Sequence, residues 1–557
     1  MRQAQRLISL LAIANLQARA AGLRGRQVVR RGVVAMREAQ VWETMMCRIG
    51  WGLGSLNRTQ FVLCLWAVWC LGASCGNPAM AAERPNILFI YTDDHSYRTV
   101  SCYPQAYEWA QTPAIDRLAR EGVRFESAYI GTWCMPSRAT LLTGHHQFGV
   151  ESMRMEGPYP GSAYDPKQCP FWPRELRKQG YVTAQIGKWH TGVDTGYGRD
   201  WDFQIVWNRP KHTESHQNYY YDQPITYQGG ETKILKRYST DQYTDWAVDF
   251  MRGGGRDKDK PWYLWLCYGA VHSPYTPARR HLDDYPDIEV KTPSDIFPPR
   301  PGKPDWAQLI DFWNKSPDGS PQWKNRSLSS WVRQYHQGVL AIDEGVKRLL
   351  AVLDETQQRR NTLIIFTSDQ GFAWGQHGFR HKVAAYDANI RSPLIISLPG
   401  RIPSGQVCST PVGGVDLVPT MFHFAGCDLP WRMHGRDLSP LLKDPAAKWP
   451  HPVLLAATGR KYGSDTRVIP TGKDALHGRI PWYVMLRQGR FKYVRPLIAN
   501  ELEELYDLRA DPDELRNLAV SPPYRETLNQ MRAAATTELR RTGAGFVDGM
   551  PPVRPGL

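Results

Sequence analysis

A short segment of the chain carries residue types that can do chemistry. Cys134 is followed by Pro136 and Arg138, and Leu142-Thr143-Gly144 comes soon afterwards. A cysteine side chain can be oxidised, and the oxidised residue can act as a catalyst. The same residues also fit a buried structural cysteine ahead of a helix that begins at proline. Other segments of the chain decide between these two interpretations.

Two pairs of oxygen-bearing side chains follow predicted strands. Asp93-Asp94 comes directly after the apolar run Asn86–Thr92, and Asp369-Gln370 follows a strand predicted over Thr362–Thr367. Such residues are often only turn or cap residues. Two strand ends in one sheet would instead bring four oxygen ligands to one point, and ligands of this hardness favour Ca²⁺ or Mg²⁺ over zinc.

Cationic and imidazole side chains also follow predicted strands. Lys188 and His190 lie at the end of a strand predicted from Val182, His272 follows the strand Trp262–Tyr268, and Lys382 lies in a loop after Asp369-Gln370. A lone lysine or histidine belongs more often to the surface or to a satisfied core. Together with the cysteine segment, these residues predict a pocket for an oxyanion and a route for a proton.

Two of these segments resemble the signatures of one enzyme family. Cys134-x-Pro136-x-Arg138 with the downstream Leu-Thr-Gly resembles the activation signature of the type I sulfatases. Gly180-Tyr181-x-Thr183 followed by Gly187-Lys188-Trp189-His190 resembles their second signature. The resemblance covers about residues 85–520. It implies the alkaline-phosphatase-like fold and conversion of Cys134 to Cα-formylglycine by a formylglycine-generating maturation enzyme.

The resemblance also implies a role for each residue. The formylglycine hydrate at position 134 would attack the sulfur of a sulfate ester, and Arg138 would hold the hydrate and the metal carboxylates together. Lys188 would bind sulfate, and His190 would take a proton from the hydrate so that sulfate leaves and the aldehyde reforms. His272 and Lys382 would bind the substrate. The implied Ca²⁺ ligands are Asp93, Asp94, Asp369, Gln370 and the formylglycine derived from Cys134; Mg²⁺ is the less favoured ion.

The chain segments that position these residues are predicted to alternate between strands and helices. The strand Asn86–Thr92 precedes a helix with Thr112 as N-cap and Pro113 at its first position, and a long amphipathic helix is predicted over Trp331–Glu355. This order predicts an α/β domain with a mostly parallel sheet flanked by helices. Ligands then bind beyond the carboxyl ends of the strands. Antiparallel strands near Trp482–Val494 and a closing helix predict a smaller C-terminal α+β subdomain.

Three segments of the chain are predicted. Residues 1–82 form a presequence whose signal peptide has its apolar region at 61–73, residues 83–449 form the catalytic domain, and residues 450–557 form the C-terminal subdomain. We therefore expect an exported protein, periplasmic or extracellular, with no stable membrane span, because 13 apolar residues are too few to cross a bilayer. The true start, at Met1 or at Met45 or Met46, stays open.

The charge of the chain does not require a nucleic-acid partner. The net charge is +15, but residues 1–82 hold ten arginines and only two acidic residues, which leaves +7 for the rest. No nucleic-acid-binding motif is found, so we expect no such partner.

The predicted function is hydrolysis of sulfate monoesters, with a sulfated saccharide or another sulfated small molecule as substrate. The alternatives are a phosphonate or phosphate ester hydrolase built on the same site, and a non-catalytic binder of sulfated glycans.

Overall fold

The computed structural model describes residues 84–554, and a large central sheet dominates this part. The sheet has 11 strands. In chain order they are β1 (Asn86–Thr92), β2 (Val123–Tyr129), β3 (Val182–Trp189), β4 (Phe203–Asn208), β5 (Gln223–Tyr227), β6 (Thr232–Leu235), β7 (Trp262–Cys267), β8 (Thr362–Ser368), β9 (Ser392–Ser397), β10 (Gln406–Cys408) and β11 (Val412–Gly413).

The middle of the sheet is parallel and its flanks are mixed. The spatial order is β10-β2-β9-β8-β1-β7-β3-β4-β5-β6, with β11 also paired to β2. Strands β8, β1, β7, β3 and β4 run parallel to one another, whereas β9, β5 and β6 pair antiparallel to their neighbours. The predicted α/β class with a mostly parallel sheet is confirmed. The predicted strand near residues 393–398 is present as β9, where it extends the sheet in the antiparallel sense.

Helices cover both faces of the sheet, which explains the continuous apolar strands. Ile87, Phe89 and Tyr91 of β1 belong to one buried cluster, and Leu88 and Ile90 belong to another on the opposite face. A strand covered on both faces needs apolar side chains at every position. The helices are α1 (Pro113–Arg120), α2 (Cys134–Thr143), α3 (Pro173–Lys178), α4 (Ser239–Met251), α5 (Asp305–Gln308), α6 (Leu328–Glu355), α7 (Asp387–Ile390), α8 (Leu417–Ala425), α9 (Ser439–Lys443) and α10 (Arg525–Arg541).

The N-terminus of α1 is capped by a residue far away in the sequence. The helix begins at Pro113 as predicted, but Thr112 makes no side-chain hydrogen bond to it. Instead the carboxylate of Asp343 accepts hydrogen bonds from the backbone of Ala114 and Ile115 at 2.8–3.1 Å. Thr112 therefore stands at the N-cap position as predicted, but its side chain does not cap the helix, because a carboxylate on α6 is a stronger acceptor for these amides than a hydroxyl.

A second sheet lies in the C-terminal part of the chain. It consists of β12 (Val453–Ala457), β13 (Tyr483–Gln488), β14 (Phe491–Pro496) and β15 (Glu504–Asp507), which are paired antiparallel in this order. Helix α10 packs on it through Leu528, Met531 and Leu539. Small hairpins complete the structure: Met153–Met155 with Ser162–Tyr164, Leu476–His477 with Ile480–Pro481, and a three-stranded unit of Asn314–Lys315, Pro321–Trp323 and Arg326–Ser327.

The predicted presequence and its apolar region at 61–73 lie outside the described residues. Among residues 84–554, the structure contains no helix with both the length and the apolar character that crossing a membrane demands. The limits of the three predicted segments stay predictions.

Candidate active site

Two strand ends meet at the same level of the central sheet. Thr92, the last residue of β1, pairs with Ser368, the last residue of β8. The next residues, Asp93 and Asp369, are both fully buried. Asp369 Oδ1 accepts a hydrogen bond of 2.9 Å from the backbone amide of Asp94. Asp94 has a φ of 56°, in the left-handed region, so the chain turns sharply here and directs the Asp94 carboxylate into the site.

The cysteine segment forms the helix that faces these carboxylates. Cys134 is the first residue of α2, and its Sγ donates to Asp93 Oδ1 at 3.3 Å. One turn later, the Arg138 Nη2 donates to Asp93 Oδ2 at 2.9 Å and lies 3.6 Å from Asp369 Oδ2. A bond from Arg138 Nη1 to the Lys188 carbonyl oxygen, at 3.3 Å, ties the helix to β3. Arg138 therefore links the cysteine helix, the carboxylates and a neighbouring strand.

Two lysines approach the cysteine and the carboxylates. The Lys188 Nζ contacts Asp93 Oδ2 and donates to the Tyr219 hydroxyl at 3.3 Å. The Lys382 Nζ lies 2.6 Å from Asp94 Oδ1 and 2.9 Å from Cys134 Sγ. The sulfur thus lies between a carboxylate and an ammonium group. The predicted convergence of a cysteine, cations and carboxylates is present in the structure.

His190 has an arginine for a neighbour. The ring is fully buried, and the Arg209 Nη1 lies 3.1 Å from both ring nitrogens. Equal distances place the guanidinium against the face of the ring, because a bond in the ring plane would favour one nitrogen. Burial, then Arg209 and Lys188, hold the pKa of His190 well below its usual value of 6.5. The imidazole is therefore neutral and able to accept a proton.

His272 is held against a tyrosine. Its ring stacks on Tyr219 with centroids 3.9 Å apart and planes 4° apart. Its Nδ1 lies 2.8 Å from the Ser273 carbonyl oxygen, so that nitrogen carries the proton, and its Nε2 lies 3.7 Å from Asp94 Oδ2. Tyr219 also places its ring 4.9 Å from the Lys188 ammonium. One aromatic ring therefore positions both a histidine and a lysine of the site.

The carboxylates differ in their affinity for protons. Burial alone would raise the pKa of Asp93, but Lys188 and Arg138 outweigh it and hold that pKa well below its usual value. Burial raises the pKa of Asp94 to about 7, with Lys382 acting against it. Burial and Asp93 also raise the pKa of Asp369. Burial is the main cause of both raised pKa values, so a cation held by these carboxylates would favour their charged form.

The residues present fit a divalent cation. Ligand atoms of Asp93, Asp94, Cys134 and His272 all lie within 4.8 Å of one another. Asp369 Oδ2 is buried without a hydrogen-bond donor in the described part of the chain. The Arg138 Nη2 lies 3.6 Å from that oxygen, beyond hydrogen-bond distance, so the oxygen can still act as a metal ligand. The Gln370 amide contacts Asp94 Oδ1, so its carbonyl oxygen reaches the same point after rotation of the amide.

The Cys134 thiol itself is not a good nucleophile in this setting. Burial and then Asp93 raise its pKa to about 12, although Lys188 and Lys382 act in the opposite direction. Cysteine hydrolases depend on a thiolate with a lowered pKa. The arrangement therefore does not support catalysis by an unmodified Cys134.

All of the predicted site residues lie within one cluster of contacts, and two further members were missed. Arg209 and Tyr219 belong to the segment that follows β4 and carry no motif. Arg209 is the first residue after β4, so the strand-end rule would have found it if β4 had been predicted. No pattern in the sequence marks Tyr219. The predicted members of the cluster are Asp93, Asp94, Cys134, Arg138, Lys188, His190, His272, Asp369, Gln370 and Lys382, and His190 joins the others through Arg209 and Tyr219.

The fold and the site agree with the relatives of this sequence. The sequence profile of the sulfatase family matches residues 85–427. An N-acetylglucosamine-6-O-sulfatase of Bacteroides thetaiotaomicron is 31% identical, and the match covers 81% of this chain and 86% of that protein. The human N-acetylglucosamine-6-sulfatase is 27% identical, covering 81% of this chain and 83% of that protein. The chain belongs to the sulfatase family, and it is a sulfuric ester hydrolase.

Solved structures place the chain in the same fold. A protein in complex with its substrate D-glucosamine-2-N,6-O-disulfate superposes with a TM-score of 0.71 at 27% identity, covering 84% of this chain and 99% of that chain. A phosphonate monoester hydrolase from Silicibacter pomeroyi superposes with a TM-score of 0.63 at 22% identity, covering 82% of this chain and 96% of that chain. The second likeness concerns the fold alone. The predicted alkaline-phosphatase-like architecture is confirmed.

Proposed function

We propose that this sulfatase hydrolyses sulfate monoesters of sulfated carbohydrates, with Cα-formylglycine formed from Cys134 and with one Ca²⁺. The observation that carries the proposal is the position of Cys134 Sγ, 3.3 Å from Asp93 Oδ1 and 2.9 Å from the Lys382 Nζ. An oxygen nucleophile at this position would face a cation-binding carboxylate cluster on one side and an oxyanion-binding ammonium group on the other.

The cation would be held by oxygen ligands. Asp93, Asp94, Asp369 and Gln370 supply the side chains, and residue 134 completes the set. Hard oxygen ligands at a site without a thiolate favour Ca²⁺, with Mg²⁺ as the less favoured ion. When bound, the cation would lower the pKa of a neighbouring hydroxyl and offset the negative charge of the sulfuryl group.

The chain's own cations would bind the sulfuryl oxygens. Lys188 and Lys382 flank residue 134, and Arg138 fixes the carboxylate that contacts it. These groups are buried and already held in place, so they stabilise charge without reorganising during the reaction. The bond between sulfur and the departing alcohol oxygen breaks with its electron pair on oxygen. A cationic side chain of the site then supplies the proton that the alcohol needs.

Residue 134 needs the aldehyde to release sulfate. A hydrated aldehyde has two hydroxyl groups, so one can act on sulfur while the other is available for deprotonation. His190 would accept that proton, because it is buried and neutral. A plain hydroxyl or thiol at position 134 has no such second group. The oxidation of Cys134 requires a formylglycine-generating maturation enzyme as a partner.

The substrate class rests on the relatives. The bacterial relative that is 31% identical is named for N-acetylglucosamine 6-sulfate, and another at 26% identity is named for a hexuronate 2-sulfate. The test is desulfation of a panel of defined sulfated saccharides by matured enzyme, with 4-nitrophenyl sulfate and phenylphosphonate in parallel. We expect sulfate release from at least one saccharide. Faster turnover of phenylphosphonate would favour the phosphonate hydrolase, and binding without turnover would favour a glycan-binding protein.

The place of action follows from the presequence. The apolar region at 61–73 is preceded by Arg58 and followed by Ala79-Met80-Ala81-Ala82, with small residues at the cleavage-like positions, as in a signal peptide. Export would give the enzyme access to saccharides outside the cell or in the periplasm. N-terminal sequencing of the protein recovered from those compartments would test this, and a mature N-terminus upstream of residue 61 would contradict it.

A further inference from the structure

A cavity lies beside the C-terminal sheet, and none of the active-site residues described above lines it. Its volume is about 720 Å³, within the range of about 300–1,000 Å³ that is typical of small-molecule sites. We call it the arginine cavity, because its lining includes Arg391, Arg487, Arg490 and Arg509, with Trp449 and His451.

Arg487 is the most informative residue of the arginine cavity. Its side chain belongs to β13, and the residue is only 7% exposed. Within residues 84–554, Arg487 makes no ion pair within 4 Å, and its buried Nε and Nη1 have no acceptor. A buried guanidinium without an acceptor is costly, since each unpaired N–H loses the hydrogen bond that it made to water. The position therefore favours a bound oxyanion.

Arg391 stands at the same cavity in a fixed orientation. It is 8% exposed and lies over the Tyr97 ring at 4.1 Å, while its Nη2 donates to Gln105 Oε1 at 3.2 Å. Its Nε is buried and has no acceptor in the part of the chain that the structure describes. Two preorganised guanidinium groups at one cavity are the kind of site that binds sulfate or carboxylate groups.

The acidic residues of the lining offset these arginines only in part. Asp387 accepts hydrogen bonds from the Lys492 Nζ at 2.8 Å and from the Tyr129 hydroxyl at 2.9 Å, and Lys492 also pairs with Glu514 at 2.7 Å. Asp387 Oδ2 lies 3.9 Å from the Arg391 Nη1, so Asp387 offsets part of the charge of Arg391. Arg490 pairs with Asp507 at 3.3 Å and is largely exposed. Glu126 is the remaining carboxylate of the lining. The cavity therefore keeps a positive balance, because its lining holds four arginines and two carboxylates, and Arg487 has no ion-pair partner among residues 84–554.

The walls add an aromatic surface to these charges. The ring of Trp449 is half-buried and meets His451 edge to face, with centroids 5.0 Å apart and planes 90° apart. Pro411 and Pro450 extend this apolar wall. Tryptophan rings provide flat surfaces against which sugar rings pack, and the volume exceeds what a single ion needs.

We propose that the arginine cavity is a second, non-catalytic site for an anionic saccharide, with a sulfate or carboxylate group between Arg391 and Arg487 and a sugar ring against Trp449. The oxyanion part stands on the cavity alone, whereas the saccharide part rests on the proposed function. Such a site would hold one part of a sulfated chain while another part reaches the active site, which raises the local concentration of substrate groups.

The first experiment locates the oxyanion. Crystals of the matured enzyme are soaked in sodium selenate, whose anomalous signal marks a tetrahedral oxyanion. We expect a peak within hydrogen-bond distance of Arg487 in the wild type and in Arg495→Met, and none in Arg487→Met. Arg495 is the matched control, because it lies on the neighbouring strand β14 and does not line the cavity. A wild-type cavity without selenate would overturn the inference, as would an equal peak in Arg487→Met.

The second experiment separates the saccharide from a free ion. Calorimetry measures binding of a sulfated tetrasaccharide, its desulfated form and inorganic sulfate. We expect Arg487→Met to weaken tetrasaccharide binding by about tenfold or more, with turnover of 4-nitrophenyl sulfate within about twofold of wild type. If only inorganic sulfate binding changes, the cavity takes a free ion and the saccharide part is wrong. If the proposed function is wrong, the enzyme does not desulfate the saccharide, but the selenate peak at Arg487 remains. The two failures can therefore be told apart.

Discussion

The ammonium group of Lys382 lies 2.9 Å from the sulfur of Cys134. The same nitrogen contacts Asp94 Oδ1 at 2.6 Å, so the lysine bridges the cysteine and a carboxylate. Burial lowers the pKa of Lys382, but Asp94 and Cys134 outweigh it and hold that pKa well above 10.5. The lysine therefore stays cationic, as an oxyanion-binding group next to the reacting residue must.

The Asp369→Asn variant tests the proposed Ca²⁺ site. The substitution keeps the shape of the side chain and removes the charge of the carboxylate whose Oδ2 lacks a donor. We expect bound calcium to disappear and kcat to fall on the order of a thousandfold, since a metal contributes several kcal/mol to charge stabilisation. Metal analysis and turnover of an aryl sulfate measure both effects.

The matched control is Asp416→Asn, because Asp416 is also buried but accepts its hydrogen bonds from Gly413 and Arg436, away from the site. After treatment of the wild-type enzyme with a chelator, added Ca²⁺ should restore more activity than Mg²⁺ or Zn²⁺. Stoichiometric zinc in the purified enzyme, or full activity after chelation, would refute the calcium site.

Tyr219 is expected to control substrate binding through His272. Tyr219→Phe keeps the stack on His272 and loses only the hydroxyl contact with Lys188, so we expect less than about fivefold change in kcat/KM. Tyr219→Ala frees the histidine and should raise KM by about tenfold, with a smaller change in kcat. Steady-state kinetics with one sulfated saccharide decide the matter. Equal effects of both variants would mean that the hydroxyl, and not the stack, matters.

Arg209 is expected to set the acid limit of turnover. His190 accepts a proton only when neutral, so activity falls as pH falls through its pKa. Because burial and Arg209 hold that pKa well below 6.5, the wild-type acid limb lies below that value. Arg209→Met should raise the pKa of His190 and move the acid limb to higher pH, whereas Arg209→Lys keeps a cation and should move it less.

Profiles of kcat from about pH 4 to 8 measure this effect. A uniform loss of activity in Arg209→Met with an unchanged profile would assign Arg209 a structural role only.

His190→Ala separates the two halves of the reaction. If His190 deprotonates the second hydroxyl, its loss blocks sulfate release but not transfer from a good aryl sulfate. We expect a burst of about one equivalent of phenol, followed by retention of roughly 80 Da on the peptide with residue 134. His216→Ala is the control, because Arg209 contacts only the backbone oxygen of His216. Steady turnover by His190→Ala without burst or adduct would place the proton acceptor elsewhere.

The sequence alone predicts correctly the parts of the fold that have continuous apolar strands. β1 spans the predicted residues, and the predicted helix at 331–355 begins only three residues earlier, at Leu328. β2 was missed because it contains Arg124 and Glu126. Arg124 is nevertheless buried, since its guanidinium lies 4.9 Å from the Tyr103 ring. A charged residue that is buried against an aromatic ring hides a strand from any pattern of hydrophobicity, because only the folded structure shows that the residue is buried.

The active-site residues also fall into two groups, those that the sequence predicts and those that it does not. Residues at the ends of parallel strands were found because register brings Asp93 and Asp369 to one level. Arg209 and Tyr219 were missed, since the path of the segment after β4 depends on tertiary contacts such as the stack of Tyr219 on His272. Local patterns identify which strand ends meet, but not which loops close over them.

Residue 134 provides the most direct test of the central claim. Matured, active enzyme is digested, and the mass of the peptide with residue 134 is compared with kcat for an aryl sulfate across preparations of different maturation. We predict a loss of about 18 Da at residue 134, in a fraction that rises in proportion to kcat. The peptide with Cys267, another buried cysteine, should keep its thiol. Fully active enzyme with an intact thiol at Cys134 would contradict the account.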